Sequence, residues 1–229
     1  MSPANPGVLY IVSTPIGNLA DITLRAMEVL KQVDLIAAED TRHTGILLKN
    51  YGITTPLTSY HDFNKGKKAP ELIQKILSGN SIALVSDAGT PGISDPGYLL
   101  IKLAIEKEIQ IIPLPGPTAF ISALVVSGLP TDKFVFEGFL PSKTQKRKKR
   151  LAELAPEKRT LIFYESPYRL LKFLEELKQI FGERRICVAR ELTKKFEEVK
   201  RGTISEVLEY FQKGKVKGEL VVVVEGEKV

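Results

Sequence analysis

Short apolar runs alternate with helical patterns along the first half of the chain, and this alternation constrains the fold more than any other feature. Gly7 to Val12, Asp34 to Ala38, Leu57 to Tyr60, Ser81 to Val85 and Ile109 to Leu114 read as strands. Between them the spacing predicts helices. One runs from a cap at Asp21 to about Lys31, with Leu24, Met27 and Leu30 on one face; one from Asp40 or Thr41 to near Tyr51, stopped by Gly52; one from Pro70 to Gly79; and one from Tyr98 to Lys107. Strands and helices alternating in this way build an α/β domain with a largely parallel sheet. In such sheets ligands bind beyond the carboxyl ends of the strands.

One loop at such an end is unusual. Ser86-Asp87-Ala88-Gly89-Thr90-Pro91-Gly92-Ile93-Ser94-Asp95-Pro96-Gly97 joins strand to helix with twelve residues, where about 2–6 are customary. Its glycines permit close approach of a ligand to the main chain. Its prolines stiffen it and lower the entropy lost on binding. It reads as a binding loop, with Asp95 placed to cap the following helix. Pro113-Leu114-Pro115-Gly116-Pro117 is a second rigid turn, and Thr118 can cap a helix to Val126. The free N–H groups at that helix start favour a polar ligand group.

After Gly128-Leu129-Pro130 the pattern restarts. Phe134 to Phe136 and Thr160 to Tyr164 read as strands, with a helix from Gln145 to Ala155 between them. Ser166-Pro167 reads as a cap and first helical position. Leu170, Leu171, Leu174, Leu177, Ile180 and Phe181 then form one apolar helix face. Arg185 to Ala189, about Glu197 to Arg201, and Leu220 to Val224 are further strands, several joined by short turns. The expected organisation is an N-terminal α/β domain over 1–116 with a mostly parallel sheet, and a C-terminal α/β domain over 117–229 with a mixed one.

The 229 residues are 43% hydrophobic, enough for a sizeable core. The single cysteine, Cys187, excludes an internal disulfide and sits in an apolar run, which predicts a buried structural thiol. No apolar stretch approaches the length of a membrane span. Met1 to Gly7 shows no secretion signal, so a cytoplasmic protein without membrane contact is expected. Net charge is +6, and the surplus is local. Lys143, Lys146, Arg147, Lys148, Lys149 and Arg150 lie in a stretch free of acids between Glu137 and Glu153; the other 27 basic residues balance the 27 acids. A concentrated patch suits a polyanion such as RNA, although most charge runs are only solvated helix faces.

Several chemistries lack their signatures. No two glycines are separated by one residue, so there is no Rossmann fingerprint. There is no P-loop and no G-x-S-x-G elbow. His43 and His61 with one distant cysteine make no zinc pattern, and no metal is expected.

The motifs themselves go further. Thr14-Pro15-Ile16-Gly17-Asn18-Leu19, Ala38-Glu39-Asp40-Thr41-Arg42, the loop Ser86 to Gly97, Pro115-Gly116-Pro117-Thr118-Ala119, Glu137-Gly138-Phe139-Leu140-Pro141, Phe163-Tyr164-Glu165-Ser166-Pro167 and Arg190-Glu191-Leu192-Thr193-Lys194 occur in this order. Together they resemble the tetrapyrrole methylase superfamily, and within it the ribosomal RNA small subunit methyltransferase I branch. The resemblance implies two non-Rossmann α/β domains with S-adenosyl-L-methionine (SAM) in the cleft between them. It implies methylation of a cytidine ribose 2′-hydroxyl in the decoding region of small-subunit rRNA, within the ribosomal subunit, by a homodimer. Some members of the branch carry a further C-terminal extension. The cofactor-binding positions carried over are Ile16, Asp87, Gly89, Thr90, Gly92, Ile93, Thr118 and Ala119, with Tyr164 and Ala189 from the second domain.

A ribose hydroxyl is a weak nucleophile, so a general base would help. Asp40, Arg42, His61 and Asp62 follow strands of the first domain and are the candidate group for orienting or activating the hydroxyl, with Asp40, Arg42 and His61 as the catalytic candidates and Asp40 ahead of His61 as base. The plain alternatives are a helix cap for Asp40, a surface ion pair for Arg42 and a loop hydrogen bond for His61. The six cations Lys143 to Arg150 are the candidate RNA contacts. Tyr60, Phe63 and Phe139 are candidate rings for stacking on splayed bases, with core packing the better assignment for Phe139. Two other functions compete: methylation of a tetrapyrrole carbon, which the basic patch disfavours, and a non-catalytic SAM- or RNA-binding module.

Overall fold

The computed structural model of the protein describes residues 7–227, which fall into two compact units divided between Thr118 and Ala119. The segment Met1 to Pro6, read above for a secretion signal, lies outside the described residues.

In the first unit, strands β1 (Leu9–Val12), β2 (Leu35–Ala38), β3 (Leu57–Ser59), β4 (Ile82–Val85) and β5 (Ile111–Leu114) form one sheet in the order β3-β2-β4-β1-β5. Every pairing in it is parallel. All five carboxyl ends therefore lie on one edge. Both faces are covered, as a parallel sheet requires. Ile82 and Leu84 of β4 face the core of α3 (Lys65–Leu77) and α4 (Gly97–Glu106). Ala83 and Val85 face that of α1 (Leu24–Gln32) and α2 (Thr41–Asn50). This two-sided burial explains why β4 is apolar at every position.

Two helix starts differ from the expectation. Asp21 ends a short 3-10 turn, Leu19–Asp21, and Thr23 caps α1 by accepting from the Ala26 N–H. Pro70 lies inside α3, which begins at Lys65. Asn64 decides that start: its side chain accepts from the His61 N–H and donates to the Ser59 carbonyl, folding the chain before the helix. Burial of Ala69 then draws the turn ahead of Pro70 into the core.

The second unit opens with α5 (Ala119–Ser127). Its strands are β6 (Phe134–Phe139), β7 (Thr160–Glu165), β8 (Arg185–Arg190), β9 (Glu198–Thr203) and β10 (Leu220–Val224), in the order β6-β7-β10-β8-β9. The β6–β7 pair is parallel and the rest antiparallel, so the sheet is mixed. One face packs α6 (Thr144–Leu154), α7 (Leu170–Phe181) and α8 (Ile204–Gln212); the other packs α5. Helix α7 starts three residues after Pro167, because Ser166 to Arg169 form a separate turn closed by the Arg169 N–H on the Ser166 carbonyl. Helix α8 is an addition to the expected elements. Its signal is a capping box, in which Thr203 accepts from the Glu206 N–H and Glu206 from the Thr203 N–H. Cys187 is fully buried in the sheet, and burial pushes its thiol up to about 11.

Candidate functional site

The carboxyl edge of the first sheet is cross-linked loop to loop. Thr14, just past β1, exchanges backbone hydrogen bonds with Gly89 at 2.9 and 3.0 Å. Its hydroxyl also donates to the Ser86 carbonyl at 3.0 Å. A hydroxyl chain then spans three loops: Ser13 Oγ to Thr90 Oγ1 is 2.9 Å, and Thr90 Oγ1 to Thr118 Oγ1 is 2.8 Å. Gly89 has φ of +85° and Gly92 +89°, backbone that side chains rarely adopt. A Cβ on Gly89 would meet Ile16 Cγ2 at 3.5 Å, so the loop lies directly on the buried Ile16. Asp95 closes the loop upon itself: its carboxylate accepts from the Gly92 N–H at 2.8 Å and from the Gly97 N–H, at the start of α4, also at 2.8 Å. The expected cap is therefore also a staple across the loop.

Asp87 stands at the centre of this edge. Its Oδ1 accepts from the Asp40 N–H at 2.9 Å, joining the β4 and β2 loops. Its own N–H donates to Glu39 Oε2 at 3.4 Å. His43 Nδ1 is 4.0 Å from Asp87 Oδ1. Burial raises the Glu39 carboxyl above its ordinary pKa, and Asp87, Asp95 and Asp62 push it in the same direction. A half-buried group of acids at a loop edge suits a ligand that carries positive charge. Among the described residues, no group of three or more His, Cys, Asp or Glu side chains could hold a metal ion.

Asp40 caps α2. Its Oδ1 accepts from the Arg42 N–H at 2.8 Å and its Oδ2 from Arg42 Nη2 at 2.6 Å. The Arg42 side chain holds the Asp40 carboxyl well below the usual carboxylate range. Such a carboxylate is a weak proton acceptor. His61 follows β3, and its Nδ1 is buried without a hydrogen-bond partner among the described residues. The sequence reading puts Asp40 ahead of His61 as base; the structure shows Asp40 as the cap of α2, in an ion pair with Arg42. Glu39 and His43 were missed as site residues. Their signal was the spacing Glu39-Asp40-Thr41-Arg42-His43, which sets His43 one helical turn beyond Asp40, beside Asp87.

In the second unit, Tyr164 and Ala189 both pair with Val221, across opposite sides of β10. Tyr164 belongs to a ring cluster, with its centroid 5.1 Å from Phe136 and 5.4 Å from Phe139; Phe136 stacks on Phe120 at 4.4 Å. Burial raises the Tyr164 hydroxyl pKa.

The basic patch is smaller than its sequence. Arg147 is only 2% exposed and makes a two-pronged pair with Glu176 at 2.6 and 2.8 Å. It also donates to the Pro141 and Ser142 carbonyls. Arg147 therefore ties α6 to α7, and its burial removes it from the exposed patch into which the sequence reading placed it. Arg150 is paired with Glu137 and Glu153. Lys143, Lys146, Lys148 and Lys149 are exposed. Of the rings, Phe63 is fully exposed, whereas Tyr60 is buried with its hydroxyl on the Pro96 carbonyl. Phe139 is 58% exposed, so the core assignment for it was wrong.

The family model for Tetrapyrrole (Corrin/Porphyrin) Methylases matches residues 8–208. The chain belongs to this family. Ribosomal RNA small subunit methyltransferase I of Synechocystis sp. (strain ATCC 27184 / PCC 6803 / Kazusa) is 55% identical over 221 residues, covering 96% of this chain and 79% of that protein. The same-named protein of Escherichia coli O157:H7 is 53% identical over 225 residues, covering 97% and 79%. Among solved structures, a cobalt precorrin-4 methyltransferase of cobalamin biosynthesis superposes with a TM-score of 0.70 at 16% identity, covering 95% of this chain and 94% of that one. A uroporphyrin-III C-methyltransferase from Thermus thermophilus gives 0.66 at 20%, covering 95% and 94%. At such identities the two structures establish the fold: a tetrapyrrole methylase-like α/β architecture with two sheets. No helix among the described residues is long and apolar enough to cross a membrane.

Proposed function

We propose that this protein is a SAM-dependent methyltransferase of small-subunit rRNA, and that it methylates a cytidine ribose 2′-hydroxyl in the decoding region. The observation that carries the reading is identity above 50% over nearly the whole chain to proteins named ribosomal RNA small subunit methyltransferase I. Likeness to the tetrapyrrole enzymes is a likeness of fold at 16–20% identity, and it favours no tetrapyrrole substrate. The reading includes a homodimer acting in the cytoplasm on RNA within the ribosomal subunit.

The residues of the first sheet edge fit SAM. The acids Glu39 and Asp87 suit its positive charge, and the stapled glycine loop offers main chain that a side chain would otherwise cover. When bound, SAM supplies an activated methyl group and its own leaving group. The chain's share is to hold and orient. Ile16, Asp87, Gly89, Thr90, Gly92, Ile93, Thr118 and Ala119 would hold the cofactor, with Tyr164 and Ala189 of the second unit. Correct placement of two reactants lowers a barrier by roughly 7–11 kcal/mol in well-oriented systems. His61 would take the proton from the ribose hydroxyl, and the Asp40–Arg42 pair would position the sugar.

A radiolabel assay tests this. Labelled SAM is offered with unmodified small subunits, free rRNA or a tetrapyrrole, and the label is located by nuclease digestion and mass spectrometry. Label on a cytidine ribose is expected. Label on a base or a tetrapyrrole, or none, overturns the reading. His61→Gln should cut turnover about 10²–10⁴-fold while SAM affinity holds, and Asp40→Asn should cut it less. Equal loss of turnover and affinity would remove either residue from the catalytic group.

A further inference from the structure

At one end of the second sheet five strands finish in register. Phe139 of β6 pairs with Tyr164 of β7, Glu165 of β7 with Leu220 of β10, Leu220 with Arg190 of β8, and Arg190 with Glu198 of β9. The loops at this end, 140–143, 166–169, 191–197 and 213–219, therefore stand as one row. Three large rings of the row are exposed, although such rings are mostly buried: Phe139 at 58%, Tyr168 at 95% and Phe196 at 66%. Lys143, Lys195, Lys215 and Lys217 are exposed in the same loops. Most neighbouring acids are engaged with cations: Glu165 with Arg169, Glu198 with Arg190, and Glu191 and Glu219 with Lys194; Glu197, exposed in the same loop as Lys195, accepts from the Thr193 N–H and offsets one lysine. The four exposed lysines thus leave a positive surplus. Lys195 Nζ lies 5.7 Å from the centre of the Phe196 ring. Beside the row is an open depression of about 290 Å³ whose lining includes Arg190, Glu198, Tyr210, Lys213 and Lys215.

We infer that this row binds a single-stranded segment of RNA, its rings stacking on unpaired bases and its lysines meeting phosphates. The rings are separated by cations, whereas a protein-docking patch is contiguous and apolar. Rings interleaved with lysines match a strand whose bases are splayed and whose backbone is charged. A duplex hides the base faces that the rings would cover. The inference rests on the rRNA reading above and names where the substrate lies outside the reacting nucleotide.

The test uses the full chain and a fluorescently labelled, mixed-sequence single-stranded oligoribonucleotide, titrated at several salt concentrations. Tyr168→Ala and Phe196→Ala should each weaken binding roughly 5- to 100-fold, with Tyr168→Phe and Phe196→Tyr restoring it. Exchanging Lys195, Lys215 and Lys217 for Gln should lower the salt slope by about 0.7 for each phosphate that these lysines neutralise. SAM affinity by calorimetry should stay unchanged in all of them, which shows that they fold. Unchanged oligonucleotide affinity and salt slope in folded variants would overturn the inference. So would loss of binding to intact small subunits with oligonucleotide affinity intact, since that points to a protein partner. A wild-type protein that transfers no methyl to rRNA counts against the proposed function, and the oligonucleotide titration still decides the row.

Discussion

The loop Ser86–Gly97 and helix α6 both concentrate polar groups, yet they direct them differently. In the loop, Thr90, Asp87 and Asp95 bond to neighbouring loops of one sheet edge or back onto the loop itself. The groups are fixed in place while remaining at the edge where a ligand can reach them. In α6, Arg147 turns inward to Glu176 and Arg150 to Glu137, so two of the six cations are committed to the second unit's own structure. The lysines stay outside because an ammonium on a flexible stem has little geometric advantage in a buried pair, whereas a guanidinium can meet both carboxylate oxygens. A density of charge therefore marks a surface only after its partners have been counted.

This contrast can be broken, most strongly at α6. Glu176→Ala strands a buried guanidinium and should cost about 3–5 kcal/mol, read as a large fall in melting temperature. The double exchange Arg147→Met with Glu176→Leu should recover most of that stability. If the double variant is as unstable as the single, the pair does more than tie two helices. At the loop, Asp87→Ala should weaken SAM binding about 10- to 100-fold by calorimetry, the range of a hydrogen bond to a charged group. Unchanged affinity would mean the loop holds another ligand.

Asp95→Ala sharpens the comparison further. Removing the acceptor of the Gly92 and Gly97 N–H groups should cost about 1–2 kcal/mol in urea unfolding, on the scale of a deleted helix cap. Its effect on SAM affinity should be smaller than that of Asp87→Ala. The smallest effect on stability is expected on the outer side of α6. Changing Lys146, Lys148 and Lys149 to Gln should alter stability by no more than about 0.5 kcal/mol. The same change should lower the salt slope of RNA binding by about 0.7 for each phosphate neutralised. A stability loss as large as that of Glu176→Ala would erase the distinction between inward and outward cations.

Much of the fold was legible because periodicity is a local property. Strand β4 is apolar throughout because both its faces are covered, and α7 carries an apolar stripe because one of its faces packs on a sheet. Both patterns can be read without knowing any partner. The start of α3 was not legible, because Asn64 acts through Ser59 and His61, and Pro70, usually a first-turn residue, lies five residues inside the helix. Helix α8 does carry a local signal, its capping box, but the helix is short and follows β9 without a loop, so no break in the sequence announces it.

At the sheet edge, what could be read locally was the long glycine- and proline-rich loop after β4 and its place at a strand's carboxyl end, while the cofactor-binding roles of Asp87, Thr90 and Thr118 came only as implications of the family resemblance. Tertiary structure alone decided the rest. It brought Asp40 under Asp87, raised Glu39 by burial, left His61 Nδ1 without a partner among the described residues and buried Arg147 against Glu176. The physical reason is that burial and pairing depend on what lies across the fold, as Asp87 to Asp40 spans 47 positions and Arg147 to Glu176 spans 29.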